Sequence, residues 1–225
     1  MLIPVQDLLR RVLHAGSRSG PGCLPRYALD RLRQPRSRAD EVLALRRRLA
    51  AEPGPGPGQV GAEERAAAIE LRRLREELVE KLGAVRSCTR CAVGHPLPHG
   101  RFSGGHCCGL QTADAFNDDE VAALRQAGTR PGDLRLPDGE HAGCSFRGPT
   151  GCSLAARDRP NLCVRYLCPD LRRELHRRGD GADLEALGAA LERAYLRFTD
   201  LRRARLEADE ASAQEAELAA LGGAG

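Results

Sequence analysis

The chain has 225 residues, of which 41% are hydrophobic, enough to bury one modest core and carry flanking helices. Tryptophan is absent and aromatic residues make up only 3%, so Leu, Val and Ala must fill most of that core. The formal net charge of +4 is too small to indicate a polyanionic partner, and the scarcity of aromatic stacking residues argues further against nucleic-acid binding. No secretory signal and no apolar stretch of membrane-spanning length is present, so we expect a cytoplasmic protein that does not engage a membrane.

Charge is distributed unevenly along the chain. Residues 1–52 hold eleven Arg against five acidic residues, whereas residues 182–225 hold five Arg against nine. Lys81 is the only lysine, so the 34 other basic residues are arginines, and a general preference for arginine explains most clusters of them. We interpret both charged ends as solvated helix surfaces, although opposite charges also allow the two ends to attract each other.

Changes in composition divide the chain into five segments. The division predicts a basic helical arm, a Pro/Gly linker, an amphipathic helix, a cysteine-rich module, and a helix with an acidic tail, in residues 1–52, 53–61, 62–85, 86–181 and 182–225 respectively. The fold class that follows is mainly α, with an irregular cysteine-rich metal-binding module between amphipathic helices.

Apolar periodicity predicts the individual helices, over residues 1–15, 37–51, 62–82, 117–127 and from 182 onward. Gly83 stands where a C-terminal cap belongs, and Asn117 with Glu120 is a typical N-terminal capping pair. The apolar stripe over 62–82 is expected to dock on the same chain. Within residues 86–181 the pattern predicts no helix besides 117–127.

Eight of the nine cysteines lie in the central module. They are Cys88, Cys91, Cys107, Cys108, Cys144, Cys152, Cys163 and Cys168. Disulfides are rare in a reducing compartment, so this density indicates a metal site. A CxxC pair lets one turn aim two sulfurs at one ion, as at Cys88 and Cys91, and is common to zinc and iron-sulfur sites. Cys23, isolated in the basic arm, is better interpreted as a buried small hydrophobe or a surface thiol.

The adjacent pair Cys107-Cys108 suggests either two sites or two irons of one cluster, because neighbouring side chains in an extended segment point to opposite sides. Histidines 95, 99 and 106 lie between the first two cysteine pairs, where one of them would be able to replace a sulfur. We interpret them more simply as loop residues.

The order of these motifs resembles a known family. CxxC, then HCCG, NDDEVAAL, GCSF, a GC eight residues after the first, and RPNLCVRYLCP are similar to the YkgJ-like cysteine-cluster family, described as zinc- or iron-chelating. The resemblance covers about residues 86–171. It implies a metal-binding module whose relatives include a domain associated with flagellin lysine methylases that looks like an iron-sulfur binder. The best-matching ligand positions are Cys107, Cys108, Cys144, Cys152 and Cys163, while the fifteen residues between Cys91 and the CC pair depart from the family spacing.

Thiolate ligands leave a metal centre with excess negative charge. Arg147, Arg159 and Arg165 each lie within a few residues of a candidate ligand, where they would offset that charge and tune a reduction potential by hydrogen bonds to sulfur. The alternative is that they are ordinary surface arginines in an Arg-rich protein.

Two functions compete on these observations. The first is an iron-sulfur protein, of the 4Fe-4S type, acting in electron transfer, in sensing or as an accessory to a modifying enzyme. The alternative is a structural zinc module that scaffolds the flanking helices for a protein partner. Fingerprints of hydrolases, P-loop enzymes, dinucleotide-binding enzymes and zinc proteases are absent, which leaves catalysis by this chain an open question.

Overall fold

The computed structural model describes residues 38–51, 60–83, 85, 112–137, 144–148 and 151–222. The described part of the chain is mainly α-helical, as the sequence predicts. Its helices are α1 (Arg38–Ala51), α2 (Ala62–Leu82), α3 (Thr112–Ala115), α4 (Asp118–Gln126), α5 (Asn161–Arg165), α6 (Pro169–Arg178) and α7 (Gly181–Gly222). Short 3-10 turns cover Pro131–Asp133 and Ala156–Asp158, and two antiparallel strands of two residues each, β1 (Arg147–Gly148) and β2 (Gly151–Cys152), form a small hairpin. The helix predicted over residues 1–15 lies outside the described residues.

The longest helices pair in antiparallel orientation. Glu64, at the start of α2, contacts Arg205 of α7 at 2.8 Å, while Lys81, at its end, contacts Asp183 at 3.4 Å. Between these contacts the predicted stripes of both helices are buried. The first apolar cluster contains Ala67, Ala68, Leu71, Leu74 and Leu78 of α2, Leu184, Leu191 and Phe198 of α7, and residues of α4, α5 and α6. The expected docking of α2 on its own chain is thus confirmed.

A second apolar cluster lies under the cysteines, and we call it the cysteine-side cluster. It consists of Val42, Leu45, Leu49, Ala115, Phe116, Val121, Leu124, Leu134, Phe146 and Leu154. The rings of Phe116 and Phe146 lie 5.5 Å apart in a tilted arrangement, which joins the start of α4 to the hairpin. Because α1 supplies three of its residues, that helix packs directly on the central module.

Local signals fixed several helix ends as predicted. Asn117 accepts a hydrogen bond from the backbone N–H of Glu120 at 2.8 Å, so the N-cap of α4 is confirmed. Gly83, with φ of 55°, donates its N–H to the carbonyls of Val79 and Glu80 and ends α2. Helix α2 has the bounds, 62–82, that periodicity predicted.

The prediction that residues 86–181 contain no helix besides 117–127 is wrong. Helix α6 has ten residues, with Pro169 in its first turn, Leu171 and Leu175 buried one turn apart, and Gly179 in the left-handed region after its end. These are ordinary helix signals, but Cys168 and Pro169 also end the RPNLCVRYLCP motif, on which the resemblance to the cysteine-cluster family partly rests. Helices α3 and α5 are too short to show periodicity.

Candidate metal centre

Three predicted ligands pack against one apolar cluster. The half-buried side chains of Cys144, Cys152 and Cys163 all pack against the cysteine-side cluster. Cys144 and Cys152 come from one hairpin, in the turn before β1 and in the strand β2, and Cys163 comes from the helix α5. No disulfide joins any two of the four described cysteines, these three and Cys168.

The hairpin sets the positions of Cys144 and Cys152. A turn closes where the N–H of Arg147 donates to the carbonyl of Cys144 at 3.0 Å, and Ser153 N–H donates to Phe146 at 2.8 Å across the hairpin. Cys152 pairs with Arg147 in the strand register. Directly opposed side chains lie on the same face of an antiparallel pair, with Cβ atoms about 4.5–5.5 Å apart.

Arg147 is therefore the predicted arginine best placed to act on a ligand. Only 3% of it is exposed, and the strand register sets it directly opposite Cys152. A buried guanidinium needs an anion or several acceptors around it, and a thiolate would meet part of that need.

The other two predicted arginines have different surroundings. Arg159 donates from Nε to the carbonyl of Leu154, a residue of the cysteine-side cluster, at 3.0 Å. Arg165 forms an ion pair with Glu192 of α7 at 2.8 Å, with 43% of its side chain exposed. Arg159 thus steadies the backbone beneath the cysteines, while Arg165 contacts a helix of the other cluster.

Cys168 differs from the other three described cysteines. It packs against the first apolar cluster, and its sulfur accepts a hydrogen bond from the N–H of Leu171 at 3.4 Å as the N-cap of α6. The structure therefore gives this sulfur a role in starting a helix, which the sequence pattern did not reveal.

The remaining predicted ligands, Cys88, Cys91, Cys107 and Cys108, lie outside the described residues, as do the three loop histidines. Within the described ranges alone, no group of three or more His, Cys, Asp or Glu side chains is arranged to hold a metal ion.

A polar network that sequence reasoning missed ties the cysteine region to α1. Thr112 donates from Oγ1 to Glu41 Oε2 at 2.9 Å and accepts from the backbone N–H of Ser145 at 3.0 Å. The Ser145 hydroxyl also hydrogen-bonds to Glu41. Thr112 and Ser145 are buried, so this network fixes the residue after Cys144 to the first residue of α3. Ser145 belongs to the GCSF motif, which is the feature of the sequence that could have indicated this network.

A second missed network lies under α5. Arg75 and Glu120 are both buried and form an ion pair at 2.6 Å, and Glu120 Oε1 accepts from the backbone N–H of Asn161 at 2.8 Å. Cys163 follows Asn161 by two residues in the same short helix. The pair therefore anchors the start of the helix that presents Cys163.

Burial and the neighbouring groups act in opposite directions on the charge of Glu120 in this network. Burial raises the pKa of Glu120, and the attraction of Arg75 and the hydrogen bond from Asn161 oppose that rise. Arg75 Nη1 and Asn161 Nδ2 are buried and have no hydrogen-bond partner within the described structure. Buried donors that lack a hydrogen-bond partner destabilise the folded protein. They offset part of the stability that the contacts of this network contribute.

No family model, no curated protein and no solved structure matches this chain. The fold thus supports the class alone, a mainly α-helical protein. Among the described helices, none combines the length and apolar character that crossing a membrane requires.

Proposed function

We propose that the chain is a metal-binding cysteine-cluster protein that carries an iron-sulfur cluster and acts in electron transfer, in sensing or as an accessory to a modifying enzyme. The observation that carries the proposal is that Cys144 and Cys152 of the hairpin and Cys163 of α5 pack against one apolar cluster. Soft thiolate sulfurs in an apolar setting are the ligands that iron-sulfur clusters and zinc prefer.

The donor set fits such a centre in charge as well as in chemistry. Several thiolates on one centre leave it with excess negative charge, and Arg147, opposite Cys152 in the hairpin, would offset part of it. The same arginine would raise a reduction potential by stabilising the more negative, reduced state. A bound cluster would supply one-electron chemistry, while the residues of this chain set its burial and surrounding charge.

The network of Glu41, Thr112 and Ser145 supports adding Cys107 and Cys108 to the centre. Ser145 directly follows Cys144, and Cys108 precedes Thr112 by four residues in the sequence. Four residues span at most about 14 Å when fully extended. The hydrogen bond between Ser145 and Thr112 therefore limits how far Cys108 can lie from Cys144. Membership of Cys88, Cys91 and Cys168 stays a prediction.

The alternative is a structural zinc module that scaffolds helices for a protein partner. One observation favours it: the region around the cysteines is built from two-residue strands and a five-residue helix, elements too short to be stable alone. A structural metal supplies folding free energy to such small elements. In that case the outer faces of the helices, and not the metal, would carry the function.

Metal analysis of the full chain, purified without oxygen, tests both functions. An iron-sulfur protein should be brown, with iron and acid-labile sulfide in comparable amounts. Stoichiometric zinc in a colourless protein would exclude the cluster and support the scaffold, and protein that binds neither metal after reconstitution would refute both.

Single Cys→Ser variants then identify the ligands. Cys144→Ser, Cys152→Ser and Cys163→Ser should each lose most of the bound metal, whereas Cys23→Ser, the matched control outside the module, should keep it. Cys168→Ser should lose metal only if the sulfur that caps α6 is also a ligand. Full metal content in all three core variants would contradict the proposed site.

A further inference from the structure

Residues 206–222 of α7 extend beyond the body of the protein. Arg205 makes the last ion pair to α2, at Glu64, and every later residue of the helix whose exposure is described is exposed. At the usual rise this extension is about 25 Å long. An exposed helix of this length gains no stability from packing, so a partner surface would stabilise it.

One side of this extension has a consistent chemical character, and we call it the acidic face. At about 100° per residue, its members fall within an arc of about 120°. They are Leu206, Glu207, Glu210, Glu217, Leu218 and Leu221. All six are exposed, and the three leucines are exposed by 42%, 68% and 70%. The face therefore combines apolar side chains with negative charge.

The charge of the extension is not neutralised by the described part of the body. Residues 206–222 contain five acidic residues and no basic one. Asp209 pairs with Arg205 at 3.0 Å, but among the described residues Glu207, Glu210, Glu215 and Glu217 have no ion-pair partner. A second copy of the same helix would be repelled, so the chemistry favours a basic, amphipathic partner.

The acidic face begins in a cleft next to the body. An open cleft of about 320 Å³ lies where α7 leaves α4, lined by Asp119, Thr199, Arg202, Arg203, Leu206, Glu207 and Glu210. Helix α1 reaches the same place, because Arg48 bonds Asp118 at 2.8 Å while Arg202 of α7 bonds Asp119 at 3.3 Å. Arg48 lies near the C-terminal end of α1, and the preceding chain joins this helix at Arg38, ten residues or about 15 Å away, a distance that the 37 residues before α1 can span.

We propose that residues 1–37 dock along the acidic face of α7 in the same molecule. This segment contains seven Arg and two Asp, a formal charge of +5, which is opposite in sign to the three glutamates of the acidic face. Its sequence predicts an amphipathic helix over residues 1–15, with Val5, Leu8 and Leu9 beside Arg10 and Arg11. Attachment to the same chain raises the effective concentration to about the millimolar range, where a modest charged and apolar contact suffices.

Limited trypsin digestion of the full chain tests the proposal, because the segment contains seven cleavage sites. The test variant is Glu207→Gln/Glu210→Gln/Glu217→Gln, and the matched control is Glu63→Gln/Glu80→Gln/Glu185→Gln, which removes three exposed charges elsewhere. Mass spectrometry reports cleavage after each arginine between residues 10 and 36, and circular dichroism verifies that all three proteins have the same helix content.

At low salt, cleavage in residues 10–36 should be at least several-fold faster in the test variant than in the wild type and the control. High salt should remove the difference, because it screens exposed charges. Equal rates in all three proteins at low salt would overturn the proposal. Protection that disappears on dilution would also overturn it, since the occupant would then be the segment of a second copy.

Discussion

Single buried side chains connect the helices of this protein to its cysteine region. The sequence pattern predicts that the side chain of Glu120 caps α4. In the structure its carboxylate instead pairs with Arg75 and accepts a hydrogen bond from the N–H of Asn161. Only its backbone takes part in the cap. Glu120 thus joins α4 to α2 and α5, and these contacts offset the free-energy cost of desolvating its carboxylate.

We predict that Glu120→Gln lowers the free energy of unfolding by about 3–5 kcal/mol, because Arg75 remains charged and buried without a counterion. Urea denaturation measures the loss. Glu70→Gln, which breaks a largely exposed pair with Arg73, should change stability by less than about 1 kcal/mol.

A double variant separates the charge from the contacts in this pair. Arg75→Met/Glu120→Gln removes both charges but keeps an amide oxygen for the N–H of Asn161, so it should be more stable than Glu120→Gln alone. If the double variant is the less stable of the two, the unpaired charge is not the source of the loss.

At the scale of elements, the long helix α7 is fixed to the acidic start of α4. Tyr195 of α7 exchanges hydrogen bonds of 3.3 and 3.4 Å with Asn117, the residue that caps α4. Burial raises the pKa of Tyr195 above its usual value of 10.0; the hydrogen bond with Asn117 lowers it, and the nearby charges of Glu120 and Asp119 raise it. Burial and the two carboxylates therefore outweigh the hydrogen bond and favour the protonated form of Tyr195.

This shift gives a pH dependence with a definite sign. The unfolded chain releases the Tyr195 proton near its usual pKa of 10.0, while the folded chain retains it to higher pH. The contribution of this residue to stability is complete below that value and is lost as the pH rises through the pKa of the folded state. The wild type should therefore lose stability relative to Tyr195→Phe in alkaline solution.

Urea unfolding of the wild type and Tyr195→Phe, from neutral pH to strongly alkaline pH, measures this difference. Tyr166→Phe is the control, because Tyr166 is 40% exposed. A constant difference between the wild type and Tyr195→Phe across the whole range would contradict the argument.

At the scale of the whole molecule, the two apolar clusters should differ in their dependence on metal. The first cluster is closed by the antiparallel pair of long helices α2 and α7, which buries Leu71, Leu191 and Phe198. The cysteine-side cluster is smaller, and the cysteines that pack against it lie in or beside elements of only two to five residues. Local stability follows such differences in packing.

We expect metal removal by a chelator to speed amide hydrogen exchange in residues 112–134 and 144–165 far more than in residues 62–82 and 184–201. Exchange read by mass spectrometry on the metal-loaded and chelated full chain measures the effect. A uniform increase over both regions would show that the metal stabilises the whole molecule, and no increase in either would argue against a structural centre among these cysteines.

The sequence by itself determined the elements whose information is local. Periodicity gave the bounds of α2, and Asn117 and Gly83 marked helix ends by the side chain or glycine that a cap requires. Repeated apolar spacing also identified the buried face of α7, because a helix must bury its stripe wherever it docks.

Only the tertiary structure decided which distant residues meet. Nothing in an Arg-rich helix distinguishes Arg75 from its neighbours until Glu120, 45 residues away, and Asn161, 86 residues away, surround it. Likewise the spacing of the cysteines does not distinguish Cys163 from Cys168. In the fold, Cys163 packs against the cysteine-side cluster and Cys168 packs against the first apolar cluster. Helix periodicity reflects forces between residues three or four apart, while the choice of contact partners depends on how whole elements pack, and that information is not contained in any one segment.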